Sequence, residues 1–385
     1  MALTISGVNI NGSLSAVHIP PPPVYYLLTW GNNGSGRLGL GDTTNRSSPT
    51  QICSLTPWLI VASGAYNGTA IKTDGTMWSW GYNTLGGLGL GDTTDRSSPV
   101  QIGAGTTWSK ISAAGQSNMA IKTDGTMWSW GRGFYGLLGL GAAAYSAAAH
   151  RSSPTQIGAL TTWASVDVAG NHCMAVKTDG TLWAWGWNSY GRLGLVDTSY
   201  RPSPVQVGAL TTWSKVSAGF TSTIAIKTDG TMWSWGYNQY GSPPTSGGQL
   251  GLGNTSNRSS PNQIGSLTNW SSVSVGTYHS TAIKTDGTMW SWGINEVGQL
   301  GLGNTTNISS PVQIGALTTW LSISGGGYHT AAIKTNGTIW TWGTGTLGSL
   351  GLGNTAYHSS PVQIGALTSW SSIAAGDEQT MAINN

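Results

Sequence analysis

The sequence is dominated by a repeat of about 50 residues. The dipeptide Trp-Gly occurs seven times, and successive copies lie 50, 50, 55, 50, 57 and 50 residues apart. A Ser-Pro pair and a further isolated tryptophan recur with the same set of spacings. A fixed period in this range is typical of solenoids, propellers and arrays. The chain from about Tyr25 to Asn385 is therefore predicted to consist of seven similar units.

Each repeat predicts four short strands. In one copy, Trp108–Ala114 alternates apolar and polar residues, and Met119–Thr123 forms a second short run. Asp124-Gly125 is a two-residue hairpin signal before the alternating segment Thr126–Trp130, and a fourth strand follows at Pro154. Four-stranded units repeated radially are the blades of a propeller. The predicted fold is an all-β, seven-bladed β-propeller with four antiparallel strands per blade.

The two ends of the chain predict how the ring closes. Met381–Asn385 matches the second strand of a unit, but the Trp-Gly strand that should follow is missing. Tyr25–Gly31 supplies such a strand near the start of the chain. We therefore expect the N-terminal strand to pair with the C-terminal strand and to complete the last blade.

Two motifs resemble a known family. Trp-Gly-x-Asn-x-x-Gly-x-Leu-Gly-Leu-Gly-Asp-Thr-x-x-Arg-x-x-Pro is present at 80–99, and a close copy of Gly-x-x-His-Thr-x-Ala-Ile-Lys-x-Asp-Gly at 326–337. Together they resemble the regulator of chromosome condensation repeat, and the resemblance covers about nine tenths of the chain. It implies a seven-bladed propeller. It leaves function open, because one fold hosts many functions: members act as nucleotide exchange factors, ubiquitin-ligase parts, ultraviolet photoreceptors and a β-lactamase inhibitor.

Charge and composition exclude several classes of protein. Only 8% of the residues are charged, and six of the eight lysines lie in the repeated Ile/Val-Lys-Thr, so basic charge is spread around the ring. This argues against nucleic-acid binding. No apolar run reaches membrane-spanning length, which predicts no membrane insertion. Cys53 and Cys173 lie in different blades and are expected to be small buried residues without a disulfide.

Residues 1–24 are predicted to be a separate extended arm, followed by the propeller domain at 25–385. Pro20–Pro23 favours a semi-rigid polyproline spacer. The arm is interpreted as a docking element for a partner or a neighbouring subunit. No standard signal peptide precedes it. With the low charge, this predicts cytoplasmic synthesis followed by a place in a virion or on an extracellular surface.

The repeats differ mainly in two sets of loops, which antiparallel pairing places on one face, called here the top face. Divergent aromatic loops favour a binding surface, although drift in unconstrained loops is the alternative. Both insertions, Ala142–His150 and Ser242–Gly248, lie in these loops. The predicted partner-binding residues are Arg132, Phe134, Tyr135, Trp187, Tyr190, Arg192, Phe220, Tyr237 and Tyr240.

Catalytic and metal-binding patterns are weak. Glu296 and Glu378 have no evident carboxylate partner, and Leu-Gly-Leu-Gly-Asp is followed by no helix that would make it a phosphate loop. His172, His279 and His329 are expected to bond neighbouring blades, with a metal site at the ring centre as the alternative. The paired tryptophans are interpreted as core, and neither a photoreceptor nor an exchange-factor pattern is present. No enzyme activity, cofactor or metal is predicted.

The leading hypothesis is a non-enzymatic virion or extracellular component, such as a phage tail or capsid protein. Its arm would contact neighbouring virion subunits, and its top face would bind a host-surface receptor, with a glycan as a possible ligand. The alternative is a soluble regulator or inhibitor that binds one protein partner through the top face.

Overall fold

The computed structural model describes residues 25–52, 57–142, 149–239 and 247–385, and within them the chain forms seven separate four-stranded sheets. All strand pairs in these sheets are antiparallel. The predicted seven-bladed β-propeller is confirmed. The predicted arm 1–24, Cys53 and Tyr240 lie outside the described residues, as do most of both insertions.

The first strand of each blade starts at the isolated tryptophan and lies at the inner edge of its sheet, against the first strands of the neighbouring blades. Together these strands surround a central channel. They are β3 (Trp58–Ser63), β7 (Trp108–Ala114), β11 (Trp163–Val168), β15 (Trp213–Ala218), β19 (Trp270–Val275), β23 (Trp320–Gly325) and β27 (Trp370–Ala375).

The second and third strands form the middle of each blade, and nearly all of their residues are buried. The second strands are β4 (Asn67–Lys72), β8 (Ser117–Lys122), β12 (His172–Lys177), β16 (Ser222–Lys227), β20 (His279–Lys284), β24 (His329–Lys334) and β28 (Gln379–Asn384). The third strands are β1 (Tyr26–Gly31), β5 (Met77–Gly81), β9 (Met127–Gly131), β13 (Leu182–Gly186), β17 (Met232–Gly236), β21 (Met289–Gly293) and β25 (Ile339–Gly343).

The Asp-Gly pair turns the chain between these two strands, as predicted, but the loop differs in length. Lys72 N–H donates to Thr76 O at 2.9 Å, so the loop holds three residues and not two. Asp74 Oδ1 accepts bonds from the backbone and hydroxyl of Thr76, and Gly75 has a φ of +78°. This is the three-residue hairpin in which glycine takes the left-handed position.

The fourth strand carries the Ser-Pro pair and lies at the outer edge of the sheet. Proline cannot donate a ladder hydrogen bond, and an outer edge is where a sheet tolerates it. These strands are β2 (Arg46–Gln51), β6 (Arg96–Gln101), β10 (Arg151–Gln156), β14 (Arg201–Gln206), β18 (Arg258–Gln263), β22 (Ile308–Gln313) and β26 (His358–Gln363). Short 3-10 turns at Gly34–Gly36, Phe134–Gly136, Ser189–Gly191 and Thr346–Gly348 connect some third and fourth strands.

The ring closes through strands from both ends of the chain. β1 pairs with β28 over six residues, from Tyr26 opposite Asn384 to Gly31 opposite Gln379. The resulting sheet has the order β2-β1-β28-β27. We number this sheet blade 7, and blades 1 to 6 follow chain order from β3. The predicted closure is confirmed.

The Trp-Gly tryptophans form the centre of the hydrophobic core. All seven are fully buried, as predicted, whereas the tryptophan two residues earlier in the paired strands is only partly buried. In six of them the indole N–H donates to a backbone carbonyl of the preceding blade, such as Trp80 to Arg37 O at 3.0 Å and Trp30 to Ser349 O at 3.0 Å. Each such residue therefore fixes a blade to its neighbour as well as filling the core.

A second set of bonds joins the blades next to the channel. The side-chain oxygen four residues after the first tryptophan accepts a bond from the backbone N–H of the next blade. Ser324 Oγ does so from Ala375 N at 2.9 Å, and Ser274 Oγ from Gly325 N at 2.9 Å. Ala374 and Ala62 occupy this position in blades 7 and 1 and have no side-chain acceptor. Blade 1 therefore lacks this bond on both sides.

We expect Ala374→Ser to raise the free energy of unfolding by about 1 kcal/mol, the usual net value of one hydrogen bond. The new hydroxyl would face the backbone N–H of Ser63, which corresponds to Ala375 N in the bonded junction. Ser324→Ala is the reciprocal control and should lower stability by a similar amount. Urea unfolding measures both. A destabilised Ala374→Ser with an unaffected Ser324→Ala would contradict this account of the junctions.

Candidate binding surface on the top face

Both sets of variable loops lie on one face, as predicted. The guanidinium of Arg132, from the loop after a third strand, reaches Gly170 O and Asn171 Oδ1, in the loop after a first strand, at 3.4 and 3.2 Å. The first-strand loops surround the mouth of the central channel, a cavity of about 630 Å³. The top face thus combines a channel mouth with an outer ring of loops.

Four of the predicted aromatic residues form two packed pairs on the loops of blades 2 to 4. Tyr135 stacks on Trp187, with ring centroids 5.2 Å apart and planes 14° from parallel. Tyr190 packs on Tyr237 at 4.5 Å. We call Tyr135, Trp187, Tyr190 and Tyr237 the aromatic strip. Each pair links adjacent loops, so the strip presents large side chains that are already ordered.

Two residues of the strip have unusual backbone conformations. Tyr135 has a φ of +58° and Tyr190 a φ of +64°. A bulky residue in this left-handed region is strained, typically by 1 kcal/mol or more. Tyr190 is also 49% exposed. Ser35 and Leu347 have the same conformation at the equivalent repeat position, so the positive φ belongs to this turn and the exposure of Tyr190 is its distinguishing feature.

Phe134 and Arg132 lie at one end of the strip. The Phe134 ring contacts His150 edge-on at 4.6 Å, and the Arg132 guanidinium lies 5.2 Å from the centre of the Phe134 ring. His150 Nδ1 accepts a bond from Gly133 N at 3.0 Å. Burial, followed by the charge of Arg132, lowers the pKa of His150. The end of the first insertion therefore contributes a residue to this surface.

Arg192 supports the surface from below. It is 1% exposed, its Nη1 donates to Phe220 O at 3.1 Å, and its guanidinium lies 4.4 Å below the Trp187 ring. Burial lowers the pKa of Arg192 to about 10. Arg192 was predicted to bind the partner directly. Because its side chain is buried, it instead positions Trp187 and does not present its charge to solvent.

Phe220 lies apart from the aromatic strip, at the channel mouth. Its ring contacts Tyr278 at 6.1 Å, and Tyr278 contacts Tyr328 at 6.2 Å. We call these three residues the channel rim. Tyr278 and Tyr328 were absent from the predicted site, although each precedes a histidine in an aligned loop, and that repeated Tyr-His pair was the available signal. Tyr240 lies outside the described residues.

The channel carries a buried carboxylate that connects three blades. Asp167 Oδ1 accepts from Ser112 Oγ, and Oδ2 from Ala218 N, both at 2.8 Å. Burial raises the pKa of Asp167. At the rim, burial raises the pKa of Asp377, and the neighbouring Glu378 raises it further. Asp167 is thus held in place by a serine hydroxyl and a backbone N–H of the two neighbouring blades.

The three predicted histidines bond neighbouring blades, as expected. Nε2 of His172, His279 and His329 lies 2.8 to 2.9 Å from a threonine hydroxyl of the next blade. Burial lowers the pKa of His279 to about 3 and of His329 to about 4. No cluster of three or more His, Cys, Asp or Glu side chains suited to a metal occurs among the described residues. Within the same residues, no helix is long and apolar enough to span a bilayer.

The geometry defines the class of protein: a closed seven-bladed propeller with an ordered aromatic surface on one face. The family profile described as "Regulator of chromosome condensation (RCC1) repeat" matches residues 26–71, 74–121, 124–176, 179–226, 229–283, 286–333 and 336–383. The chain belongs to this family. No curated protein is significantly similar to it in sequence.

Solved structures agree on the fold. Human WBSCR16 superposes with a TM-score of 0.83 at 17% identity, over 94% of this chain and 99% of that one. Yeast RCC1 (Prp20), in its complex with Kap60, gives a TM-score of 0.81 at 19% identity, over 94% and 89%. Prp20p from Saccharomyces cerevisiae on its own gives 0.81 at 19%, over 94% and 91%. Identities this low establish the architecture alone.

Proposed function

We propose that the protein is a non-enzymatic regulator that binds one protein partner through the top face. The aromatic strip carries the proposal. It consists of two packed pairs, Trp187 and Tyr190 of these pairs lie on one loop, Tyr190 is 49% exposed, and the loops differ between repeats. Tyrosine and tryptophan dominate the energetics of protein interfaces because they contribute large areas at low entropic cost.

The solved relatives are consistent with such a role. Yeast RCC1 (Prp20) was crystallised bound to Kap60, and the Saccharomyces cerevisiae protein is described for its binding to Gsp1p and histones. Propellers of this fold therefore take protein partners. The identity of the partner of the present chain is a separate question, because a shared fold does not transfer a ligand.

The comparisons favour the regulator hypothesis over the virion hypothesis. Relatives with the same architecture include WBSCR16 and yeast RCC1, and neither supports a phage tail or capsid role. The predicted contact between residues 1–24 and neighbouring subunits lies outside the described residues. A glycan ligand gains no support either.

A capture experiment tests the proposal. Tagged protein is incubated with extract of the source cells, and retained proteins are identified by mass spectrometry. We expect a retained partner to lose about a hundredfold in affinity for Trp187→Ala combined with Tyr190→Ala, since two central aromatic anchors are removed. The melting temperature should change by no more than a few degrees.

A variant of the opposite face is the matched control. We call this face the bottom face, and its bottom loops connect a fourth strand to the first strand of the next blade. Leu210 and Leu317 are each 49% exposed on loops that are nearly the same in most repeats. Leu210→Ala combined with Leu317→Ala removes a similar degree of exposed apolar surface and should retain the partner fully. A partner that is lost with the bottom variant and kept with the top variant would overturn the proposal.

A further inference from the structure

A cavity lies between blades 1 and 2, and it is lined by no residue of the aromatic strip or the channel rim. Its volume is about 430 Å³, and its walls come from the loop after β5, from β6 and the following bottom loop, from the ends of β7 and β8, and from β10. Apolar atoms come from Leu90, Val100 and Ile102, and polar ones from Trp108 and Lys122. We call this cavity the notch.

The notch coincides with one exceptional residue in the repeat. Six of the seven bottom loops have a leucine three residues before the first tryptophan of the blade. The loop before Trp108 has Gly105 at this position. In the five described loops the leucine is 44 to 51% exposed, so about half of it is covered. The only atom within 4 Å of a Cβ built on Gly105 is Trp108 Nε1, at 3.4 Å. Gly105 thus leaves open the space where the other loops place a side chain.

A buried donor faces this space. Trp108 is 6% exposed, and its indole N–H has no acceptor among the described residues. The corresponding indoles also lack acceptors among the described residues, but each of their loops has leucine in place of glycine; these are Trp163, Trp213, Trp270, Trp320 and Trp370. An unpaired buried donor is costly, so an acceptor that entered the notch would be stabilised.

A cation lies beside the donor. Lys122 Nζ is 4.8 Å from the centre of the Trp108 ring and 4.1 Å from that of Trp128. The carboxylate of Asp92, also in the wall, is 2.7 Å from Arg96 and therefore neutralised locally. One ammonium and one N–H next to an apolar wall suit a ligand with a negative oxygen acceptor at one end and a hydrocarbon chain at the other.

We propose that the notch is a binding site for an aliphatic carboxylate. The carboxylate accepts from Trp108 Nε1 and Lys122 Nζ, and the chain covers Leu90, Val100 and Ile102 in place of the missing leucine. The same chemistry is offered by a free short-chain acid and by the C-terminus of a peptide that ends in leucine. The site is independent of the partner proposed for the top face.

Nuclear magnetic resonance of the indole N–H groups tests the site, with hexanoate as the probe. The Trp108 signal is assigned as the one missing from Trp108→Phe. We expect hexanoate to shift this signal saturably and hexan-1-ol to bind at least tenfold more weakly. Acetyl-Gly-Leu is compared with hexanoate. Tighter binding of acetyl-Gly-Leu would indicate a peptide C-terminus as the natural ligand, and tighter binding of hexanoate would indicate a free acid.

Two substitutions make the result decisive. Gly105→Leu restores the residue of the other repeats, so it should fold normally and abolish the shift. Leu160→Gly should open an equivalent notch over Trp163 and make its signal respond to hexanoate. No shift of the Trp108 signal at about 10 mM hexanoate, a generous limit for a ligand of this size, would overturn the proposal. So would equal shifts in the Gly105→Leu variant.

Discussion

Trp30→Ala is expected to lower the free energy of unfolding by about 4 kcal/mol, the usual cost of removing a buried tryptophan side chain. Trp30 is completely buried, contacts Trp370 at 6.3 Å and donates to Ser349 O at 3.0 Å. It also lies on β1, whose pairing with β28 is the non-covalent closure of the ring. Chemical denaturation with fluorescence detection measures the loss.

Trp130→Ala is the matched control, because Trp130 has the same burial and an equivalent bond to Gly87 O at 3.1 Å. Its blade is formed from consecutive strands. Both variants should lose similar stability, but hydrogen exchange in β28 should accelerate only in Trp30→Ala. If both variants exchanged equally in β28, the closing strand would not be a separate point of weakness.

Acidification from pH 7 to pH 4 is expected to cost several kcal/mol of stability through the buried histidines. Burial lowers the pKa of His279 to about 3 and of His329 to about 4, while an unfolded histidine titrates near 6.5. The folded state therefore binds fewer protons. Its stabilisation is complete above pH 6.5 and is lost as the pH falls toward the folded pKa values, by about 3 kcal/mol for each residue at pH 4.

Substitution with glutamine isolates this contribution. Gln379 occupies the same repeat position and donates to Gly64 O at 2.7 Å, so glutamine is compatible with the site. His279→Gln combined with His329→Gln should show a flatter decline in stability from pH 7 to pH 4 than the unmodified protein. The turn carboxylates titrate alike in both proteins and cancel in the comparison. Parallel pH profiles would refute the histidine origin of the effect.

The fold could be predicted because the same strand and turn patterns recur in seven repeats. Asp124-Gly125 predicts a hairpin, and the Ser-Pro pair is typical of an outer strand. The incomplete repeats at Tyr25 and Met381 together supply the strands of one blade. The alternation of Trp128 and Trp130 also predicted a buried pair. Of this pair Trp130 is fully buried, whereas Trp128 is partly covered by Lys122. The alternation along a strand predicts on which side of the sheet a side chain lies, but it does not predict which neighbouring residue covers that side chain.

The binding surface was predicted less completely, for geometric reasons. Arg192 follows Gly191 in a variable loop, and only the path of that loop shows that its side chain turns into the blade junction. Phe220 belongs to the channel rim because the first-strand loops are nearer the axis than the loops after Trp-Gly. Gly105 is one of many glycines in this chain, so its role can be recognised only by comparison with the leucine at the same position of the other repeats.

The closure described for blade 7 has a consequence for synthesis on the ribosome. β1 is made first, yet its partner β28 follows roughly 350 positions later, which at ordinary translation rates is on the order of tens of seconds. During that time Leu27 and Trp30 have no blade to complete, while blades 1 to 6 can form in order. The nascent chain is an open arc with one exposed apolar strand, and a molecule that shields this strand would influence how many rings close correctly.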